Sequence, residues 1–207
     1  MLNSRWLGRL AYADALAFQE ATVARKLADP AEPDTLLLLE HDPVYTIGRT
    51  PDRSSLRGDA VLPHPLLVIG RGGQATYHGP GQLIGYPILD LKQRGQDLHR
   101  YLRTLEEMLM AVCARCGVAA QRRDGLTGVW VGGKKIASIG IGVRRWISMH
   151  GFALNVCGDL SGYDAITPCG ITGVVMTSLE RETGRAMSVE AVAAIVGSLC
   201  EGHLGRG

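Results

Sequence analysis

The amino-acid sequence predicts an α+β fold, in which a β-sheet is flanked by helices. Short apolar runs of strand length lie before residue 90, and a long amphipathic segment follows them. Residues 128–156 then alternate glycine with β-branched residues, as in a β-meander. Because nothing in the sequence resembles a linker, we expect residues 1–207 to form a single domain.

Composition and charge exclude several classes of protein. Hydrophobic residues make up 46% and charged residues 20% of the chain, as in ordinary soluble globular proteins. A net charge of +2 is too small to indicate nucleic-acid binding, and no apolar run approaches the length of a membrane span. The five cysteines are dispersed and odd in number, which favours reduced thiols. Since the N-terminus lacks a signal-peptide pattern, we expect a cytoplasmic protein with no nucleic-acid or membrane partner.

The first part of the chain predicts one helix and two strands. Asp14 to Asp29 has helix-forming composition and is followed by two prolines. Thr35 to Glu40 and Val44 to Gly48 are apolar runs of strand length, separated by a His-Asp-Pro turn that starts at His41. His41 is a candidate catalytic residue, although such a turn also closes strands without any catalytic role.

Two more strands are predicted on either side of a glycine-rich segment. The polar residues from Arg49 to Pro65 predict a mobile surface excursion that can flank a pocket. Leu66 to Ile69 predicts a short buried strand, and Leu83 to Leu89 predicts another. The glycine-rich segment, Arg71 to Gln82, is therefore expected to join two strands of the core.

This glycine-rich segment is the first candidate for a functional site. Its glycines let a ligand approach the main chain closely, so that successive N–H groups can converge on a carbonyl oxygen or an anion. Arg71 adds a guanidinium group with several N–H donors, and His78 adds a titratable imidazole. The spacing fits neither a Walker loop nor a dinucleotide-binding fingerprint. Alone, the segment is equally compatible with a glycine-rich turn that holds a structural histidine.

A long amphipathic helix is predicted from an N-cap at Asp97 to Gly117. Cys113 and Cys116 lie on it without a second cysteine or histidine pair at zinc spacing, so they are interpreted as core residues. The apolar face consists of Leu98, Tyr101, Leu102, Leu105, Met108, Leu109, Val112 and Cys116.

Residues 128–156 predict consecutive strands joined by tight turns. Gly140 and Gly142 lie inside one of these strands, which indicates that another backbone or a ligand comes close there. Beyond the meander, a cap at Ser188 begins a helix that is expected to reach about Cys200.

Three polar side chains in this half of the chain have unusual neighbours. Cys169 lies between a proline and a glycine, a turn that holds the side chain outward and leaves nearby N–H groups free for an oxyanion. Lys135 opens a core strand and must be neutralised or paired, whereas Lys134 faces the opposite, solvated side. His150 is a polar residue in an otherwise strand-like run. It can be a site residue or a structural core histidine whose hydrogen bonds are satisfied. Together with the glycine-rich segment, these residues describe an acyl-transfer site.

Four ordered motifs are similar to those of the lipoyl(octanoyl) transferase family, and together they cover roughly Thr35 to Leu179. The motifs are Arg71 to Gln82, Gly133 to Gly140, His150 to Asn155, and Thr167 to Ile171. The resemblance implies a fold like that of the biotin and lipoate protein ligase catalytic domain, with a mixed β-sheet flanked by helices.

The resemblance also implies a chemistry and a set of site residues. An octanoyl or lipoyl group would pass from acyl carrier protein, through a thioester on Cys169, to a lysine of a lipoyl domain, with Lys135 as the partner of the cysteine. No ATP, cofactor or metal is implied, because a thioester is already activated. The implied substrate-binding residues are Arg71, Gly72, Gly73, Gln74, Ala75, Thr76, Tyr77, His78, Ser138, Ile139, Gly140, Gly151, Phe152 and Ala153. His78 and His150 are assigned to positioning.

Two roles for Lys135 stay open. It can act as a neutral base, which requires desolvation, or as an ammonium ion that pairs with the thiolate of Cys169. Our hypothesis is that the resting pair is thiolate and ammonium, and that Lys135 later handles the proton of the incoming amine.

The resemblance implies acidic octanoyl-acyl carrier protein as donor. The implied acceptors are lipoyl domains of 2-oxoacid dehydrogenase E2 subunits and the glycine cleavage H protein, and the chain is expected to be a monomer. Candidate docking charges are Arg144 and Arg145, with Arg122 and Arg123 as further candidates. Their alternative is a set of solvated loop arginines.

Two rival functions are considered. An ATP-dependent lipoate ligase shares the fold and a strand lysine, but such ligases typically carry a serine followed by a glycine triplet, whereas this chain has Arg71 followed by Gly-Gly-Gln. A non-catalytic acyl-binding module would leave Cys169 and Lys135 without a purpose.

Overall fold

The computed structural model describes residues 2–49, 52–56 and 61–205. The strands are β1 (Leu2–Leu10), β2 (Asp34–His41), β3 (Val44–Ile47), β4 (Leu66–Val68), β5 (Thr76–His78), β6 (Gln82–Ile88), β7 (Gln121–Arg123), β8 (Leu126–Val131), β9 (Lys134–Arg144) and β10 (Ile147–Asn155). The α-helices are α1 (Tyr12–Ala28), α2 (Leu98–Arg115), α3 (Leu179–Thr183) and α4 (Val189–Leu204).

A mixed sheet with strand order β1-β2-β6-β10-β9-β8-β7 lies at the centre of the fold. β1 pairs with β2 in parallel, and the remaining neighbours in this sheet are antiparallel. One face of the sheet packs against α1, and the other face packs against α2 and α4. The predicted α+β fold, with a mixed sheet flanked by helices, is therefore confirmed.

The helices form where the sequence places them, with small differences at their ends. The Asp97 side chain accepts a hydrogen bond from the N–H of Arg100 at 3.0 Å, which confirms the predicted cap of α2. α1 begins at Tyr12 rather than Asp14, because the buried Tyr12 extends its packed face and no capping side chain marks the start. α4 continues past Cys200 to the buried Leu204. No helix of the described ranges is long and apolar enough to cross a membrane.

A small second sheet, with order β4-β3-β5, carries the glycine-rich segment. The prediction of a buried strand at Leu66 to Ile69 is wrong, because β4 lies at the edge of this sheet with Leu66 36% and Val68 64% exposed. The segment also does not simply join two core strands, since it contains β5. An apolar run of four residues has the same pattern at an edge as in a core, so the sequence alone could not separate the two.

The predicted surface excursion, Arg49 to Pro65, lies partly outside the described residues, which omit 50, 51 and 57–60. The described part is not all surface. Ser55 is fully buried; its hydroxyl donates to Oε1 of Gln74 at 2.9 Å and accepts the N–H of Ala75 at 3.1 Å. Through Ser55, this stretch is hydrogen-bonded to the glycine-rich segment.

The predicted meander is confirmed as β8, β9 and β10, and it contains a β-bulge. Val129 pairs with Ala137, and the next residue, Trp130, pairs with Lys135, so Ile136 is an extra residue in β9. A bulge of this kind re-aims the side chains that flank it. The close approach predicted at Gly140 is also present, since a Cβ there would lie 2.9 Å from Cδ of Arg71.

Candidate active site

Lys135 and Cys169 meet at the start of β9. Nζ of Lys135 lies 3.3 Å from Sγ of Cys169, and Oγ of Ser138 lies 3.7 Å from the same sulfur. In a regular strand, residues 135 and 138 would face opposite sides, but the bulge at Ile136 turns both toward the cysteine. Lys135 is 1% exposed, whereas Cys169 is half-buried and accessible.

Cys169 is presented by a tight turn of residues 168–170 in which its φ is 57°. Such a left-handed conformation is uncommon for a residue with a Cβ, and it persists only where the surroundings fix it. Here the N–H of Cys169 donates to the carbonyl oxygen of Ala75 at 2.9 Å, which ties the turn to the glycine-rich segment.

The expected free N–H groups around Cys169 are not found, and that prediction is wrong. The N–H of Gly170 donates to Thr167 and the N–H of Ile171 donates to Pro168, so the turn uses its own donors to close. Within the described ranges, the N–H groups of Gly73 and Gln74 form no hydrogen bond. Both residues line the cavity beside Cys169.

The segment that begins at the cysteine, residues 169–177, is called the strap. It crosses the start of β9, where the N–H of Lys135 donates to the carbonyl oxygen of Val175 at 2.8 Å. The N–H of Thr177 in turn donates to the carbonyl oxygen of Lys135 at 2.9 Å. The backbone of the lysine is therefore bound to the same segment that carries the cysteine.

Lys135 and Cys169, together called the dyad, border a cavity of about 360 Å³. Besides Lys135 and Cys169, the sequence-predicted residues that line it are Arg71, Gly72, Gly73, Gln74, Thr76, His78, Ser138, Ile139, Gly140, His150, Gly151, Phe152 and Ala153. Ala75 and Tyr77 do not line it. Ala75 is fully buried beneath Cys169, and the ring of Tyr77 packs against Tyr45 and Tyr163 at centroid distances of 5.3 and 5.7 Å.

Arg71 is a buried cation that shapes the cavity wall. Its guanidinium donates to the carbonyl oxygens of Gly72, Gln74 and Thr46 at 2.9, 3.0 and 2.8 Å, and to Oγ1 of Thr46 at 2.9 Å. No carboxylate of the described residues forms an ion pair with it. Burial lowers the pKa of Arg71, and the nearby Cys169 counters that effect.

Three buried histidines lie near the inner part of the cavity. Nε2 of His41 lies 2.7 Å from the Tyr86 hydroxyl, and Nδ1 of His78 lies 2.7 Å from Oε1 of Gln82. Both ring nitrogens of His150 lack a partner among the described residues, and its φ is 56°. His41 does not line the cavity, whereas His78 and His150 do.

Burial keeps all three histidines neutral in the folded protein. It lowers the pKa of His41 and of His150 to about 4 and that of His78 to about 3. The unfolded chain has ordinary histidines that take up protons below about pH 6.5. Between about pH 6.5 and 4 the unfolded state therefore binds more protons, and the free energy of unfolding falls as the pH falls.

We expect His78→Gln to reduce this pH dependence by about one proton, equivalent to about 1.4 kcal/mol per pH unit near pH 5. Urea unfolding of the wild type and the variant at pH 7.0, 6.0 and 5.0 measures the slope. His99 is exposed, so His99→Gln serves as the matched control and should leave the slope unchanged. Equal slopes in His78→Gln and the wild type would contradict a neutral buried His78.

Two tyrosines that line the cavity, Tyr12 and Tyr86, are not among the residues predicted from the sequence. The ring of Tyr12 lies in a tilted contact with His41, 5.0 Å between centroids, and burial raises the pKa of Tyr12 to about 12. Tyr86 lies in the apolar run of β6, where a tyrosine brings a hydroxyl into a core that must satisfy it. That hydroxyl was the available signal for a polar cluster.

The candidate docking arginines differ in their contacts. Arg144 and Arg145 are exposed at the turn between β9 and β10. Arg122 is engaged within the chain, with Nε 3.0 Å from Glu106 and Nη2 2.8 Å from Glu107. Arg123 lies over the ring of Trp130 at 5.2 Å.

Comparison with known proteins settles the family. The lipoyl protein ligase A/B catalytic domain matches residues 11–198. The chain belongs to this family. An octanoyltransferase of Geobacter sulfurreducens is 57% identical over 190 residues, covering 91% of this chain and 79% of the relative. An octanoyltransferase of Syntrophotalea carbinolica is 54% identical over 190 residues, with 92% and 88% coverage.

Several solved structures share the fold at low sequence identity. A lipoate protein ligase of T. acidophilum superposes with a TM-score of 0.76 at 19% identity, covering 98% of this chain and 85% of that one. A lipoate-protein ligase A bound with ATP gives a TM-score of 0.76 at 18% identity, with 98% and 84% coverage. The biotin protein ligase of Aquifex aeolicus is more distant, with a TM-score of 0.53 at 15% identity and 98% and 68% coverage. The predicted family and fold are thereby confirmed.

Proposed function

We propose that this family member is an octanoyltransferase, and that the acyl group passes through a thioester on Cys169 to the lysine of a lipoyl domain. The observation that carries the proposal is the 3.3 Å contact between Nζ of Lys135 and Sγ of Cys169. A buried ammonium ion needs a counterion. None of the described carboxylates forms an ion pair with Lys135, so the thiolate of Cys169 is the natural one.

In the first step, the Cys169 thiolate attacks the carbonyl carbon of the octanoyl thioester. The new carbon–sulfur bond forms as the bond to the donor sulfur breaks. The departing donor thiolate takes a proton from the Lys135 ammonium, which leaves a neutral amine beside an acylated cysteine. One thioester has replaced another, so no external energy source is required.

In the second step, the lysine of the lipoyl domain enters as its neutral amine and attacks the carbonyl carbon of the Cys169 thioester. Lys135 accepts the proton that this amine loses. Cys169 leaves as a thiolate, and the resting ion pair is restored. The same residue thus gives a proton in one half-reaction and takes one in the other.

The carbonyl oxygen of each thioester becomes negative during attack and needs donors. The turn at Cys169 has no N–H to offer, whereas Gly73 and Gln74 line the cavity with N–H groups that are uncommitted within the described ranges. A Cβ on Gly170 would lie 3.0 Å from Cγ of Gln74, so Gln74 lies close to the turn that carries Cys169. We assign the oxyanion contacts to Gly73 and Gln74.

The cavity accepts the acyl chain. Burial of about six methylenes of an octanoyl group at about 0.8 kcal/mol each contributes about 5 kcal/mol to binding. We propose octanoyl-acyl carrier protein as donor, with lipoyl domains of 2-oxoacid dehydrogenase E2 subunits and the glycine cleavage H protein as acceptors. The relatives named octanoyltransferase support this direction over the ATP-dependent ligase.

The proposal is tested by intact mass of the purified protein after incubation with octanoyl-acyl carrier protein in the absence of ATP. The expected result is a hydroxylamine-labile octanoyl adduct on the wild type and none on Cys169→Ser under thioester-cleaving conditions. No adduct without ATP, together with an acyl-adenylate when ATP is supplied, would assign the chain to the ligases instead.

Charge reversal tests whether the exposed arginines guide an acidic carrier. We expect Arg144→Glu with Arg145→Glu to lower the second-order rate constant about tenfold at low salt and less at high salt, because steering is screened by ions. Stopped-flow acylation at two ionic strengths measures this. Lys92→Glu with Arg115→Glu changes the net charge equally at other exposed positions and is the control. A rate and salt dependence equal to those of the wild type would exclude docking at this turn.

A further inference from the structure

The ammonium group of Lys135 has a second close neighbour besides Cys169. Its Nζ lies over the ring of Trp130, 5.4 Å from the ring centroid. Lys135 and Trp130 are each 1% exposed, so this contact is shielded from water. The β-bulge creates the contact, because it pairs Trp130 directly with Lys135 across β8 and β9.

A cation over an aromatic face is attracted by the negative potential of that face, and the attraction grows when water is excluded. The neutral amine gains almost nothing from the same ring. Burial alone favours the neutral amine, since it removes the hydration of the charge. The ring of Trp130 acts against burial and favours the ammonium form.

The stem of Lys135 is confined against the ring by its other neighbours. A Cβ on Gly128 would lie 2.7 Å from Cε of Lys135, so only glycine leaves room for the side chain there. The N–H of Gly128 donates to Oε1 of the fully buried Glu106 at 3.0 Å, which holds this backbone in place. The strap closes the site over the backbone of Lys135.

The remaining charges near Lys135 do not supply its counterion. Glu106 of α2 is already bonded to Arg103 at 2.7 Å and to Arg122 at 3.0 Å. Arg123 of β7 is exposed and lies over the Trp130 ring, and Arg71 of the glycine-rich segment is a second cation close to Cys169. Among the described residues, the Nζ contacts that favour its positive charge are those to the Cys169 sulfur and the Trp130 ring.

We propose that Trp130 is a positioning residue that keeps Lys135 in its ammonium form, and thereby keeps Cys169 as a reactive thiolate. This inference rests on the proposed role of the dyad. It predicts that the reactivity of the Cys169 sulfur depends on the electron density of the Trp130 ring and not only on the size of that ring. The ring acts through Lys135 and needs no contact with the sulfur.

The test is the rate of alkylation of Cys169 by iodoacetamide as a function of pH, followed by peptide mass spectrometry so that the other cysteines do not interfere. In Trp130→Leu we expect alkylation at pH 7 to slow about tenfold and its pH midpoint to rise by about one unit. Trp130→Phe retains an aromatic face and should stay within about threefold of the wild type. Trp146→Leu removes a tryptophan elsewhere and should have no effect.

Lys135→Met separates this inference from the function on which it rests. If Lys135→Met slows alkylation and Trp130→Leu does not, the dyad stands and the role of Trp130 is overturned. If neither variant slows alkylation, both are overturned. Equal slowing in Trp130→Leu and Trp130→Phe would also overturn the inference, because it would reflect packing rather than the ring face.

Fluorinated tryptophan provides a version that preserves shape, should Trp130→Leu fail to fold. In a Trp6→Phe, Trp146→Phe background, mono-, di- and trifluorotryptophan at position 130 weaken the negative potential of the ring stepwise with little change in size. The midpoint of alkylation is expected to rise with each fluorine. A midpoint that stays constant across the series would exclude the cation–π contact as its cause.

Discussion

Cys169→Ser is expected to lower octanoyl transfer by at least about 10³-fold. A serine hydroxyl is a far weaker acid than a thiol, so it stays protonated near pH 7 and is a poor nucleophile toward a thioester. The first half-reaction therefore loses its nucleophile, while the fold, which uses the backbone of residue 169 and not its sulfur, is retained. Single-turnover transfer from octanoyl-acyl carrier protein to a lipoyl domain measures the loss.

Cys157→Ser is the matched control, because Cys157 is another half-buried free cysteine and does not line the cavity. Its transfer rate should stay within about twofold of the wild type. Substantial transfer by Cys169→Ser, or an octanoyl adduct on a different cysteine, would refute the acyl-enzyme at this position.

Lys135→Met is expected to lower transfer by about 10²- to 10⁴-fold, the range of an acid–base group, without lowering the free energy of unfolding. Methionine retains most of the stem volume but carries no charge, so both proton transfers lose their partner. Lys135 forms no ion pair with a carboxylate of the described residues, so removing this buried cation also removes a desolvation cost. Kinetics and urea unfolding at pH 7 are measured on the same preparation.

Lys134→Met is the control for the neighbouring position. The Lys134 side chain is 42% exposed and pairs with Glu182 at 2.5 Å, so its removal should cost at most about 1 kcal/mol and leave transfer near the wild-type rate. A loss of more than about 2 kcal/mol in Lys135→Met would instead identify Lys135 as a structural residue.

Local sequence patterns were sufficient to identify Cys169 and Lys135 as candidate site residues, because the neighbours that make each of them unusual lie within a few positions in the sequence. A Pro-Cys-Gly turn and a lysine at the start of an apolar strand are both visible in a short window. Their separation of 3.3 Å was not visible, since it depends on pairing across the chain. The similarity to known motifs supplied that pairing.

Features that depend on long-range register could not be predicted. Period-two alternation places Lys135 and Ser138 on opposite faces, and the bulge at Ile136 reverses this without a marker such as glycine in the sequence. The free donors expected at Cys169 were wrong for a related reason. Whether an N–H is free depends on where its neighbours turn, and this turn closes on itself.

The strap restricts where residues can be inserted into the chain or deleted from it. Cys169, the strap as far as Val175, and the backbone and side chain of Lys135 form one closed ring of contacts. An added or deleted residue inside that ring would displace the sulfur from the amine by a sizeable part of the 3.8 Å between successive Cα atoms. Insertions and deletions in functional homologues are therefore expected in outer connections of the fold, while the interval between residues 169 and 175 keeps a constant number of residues.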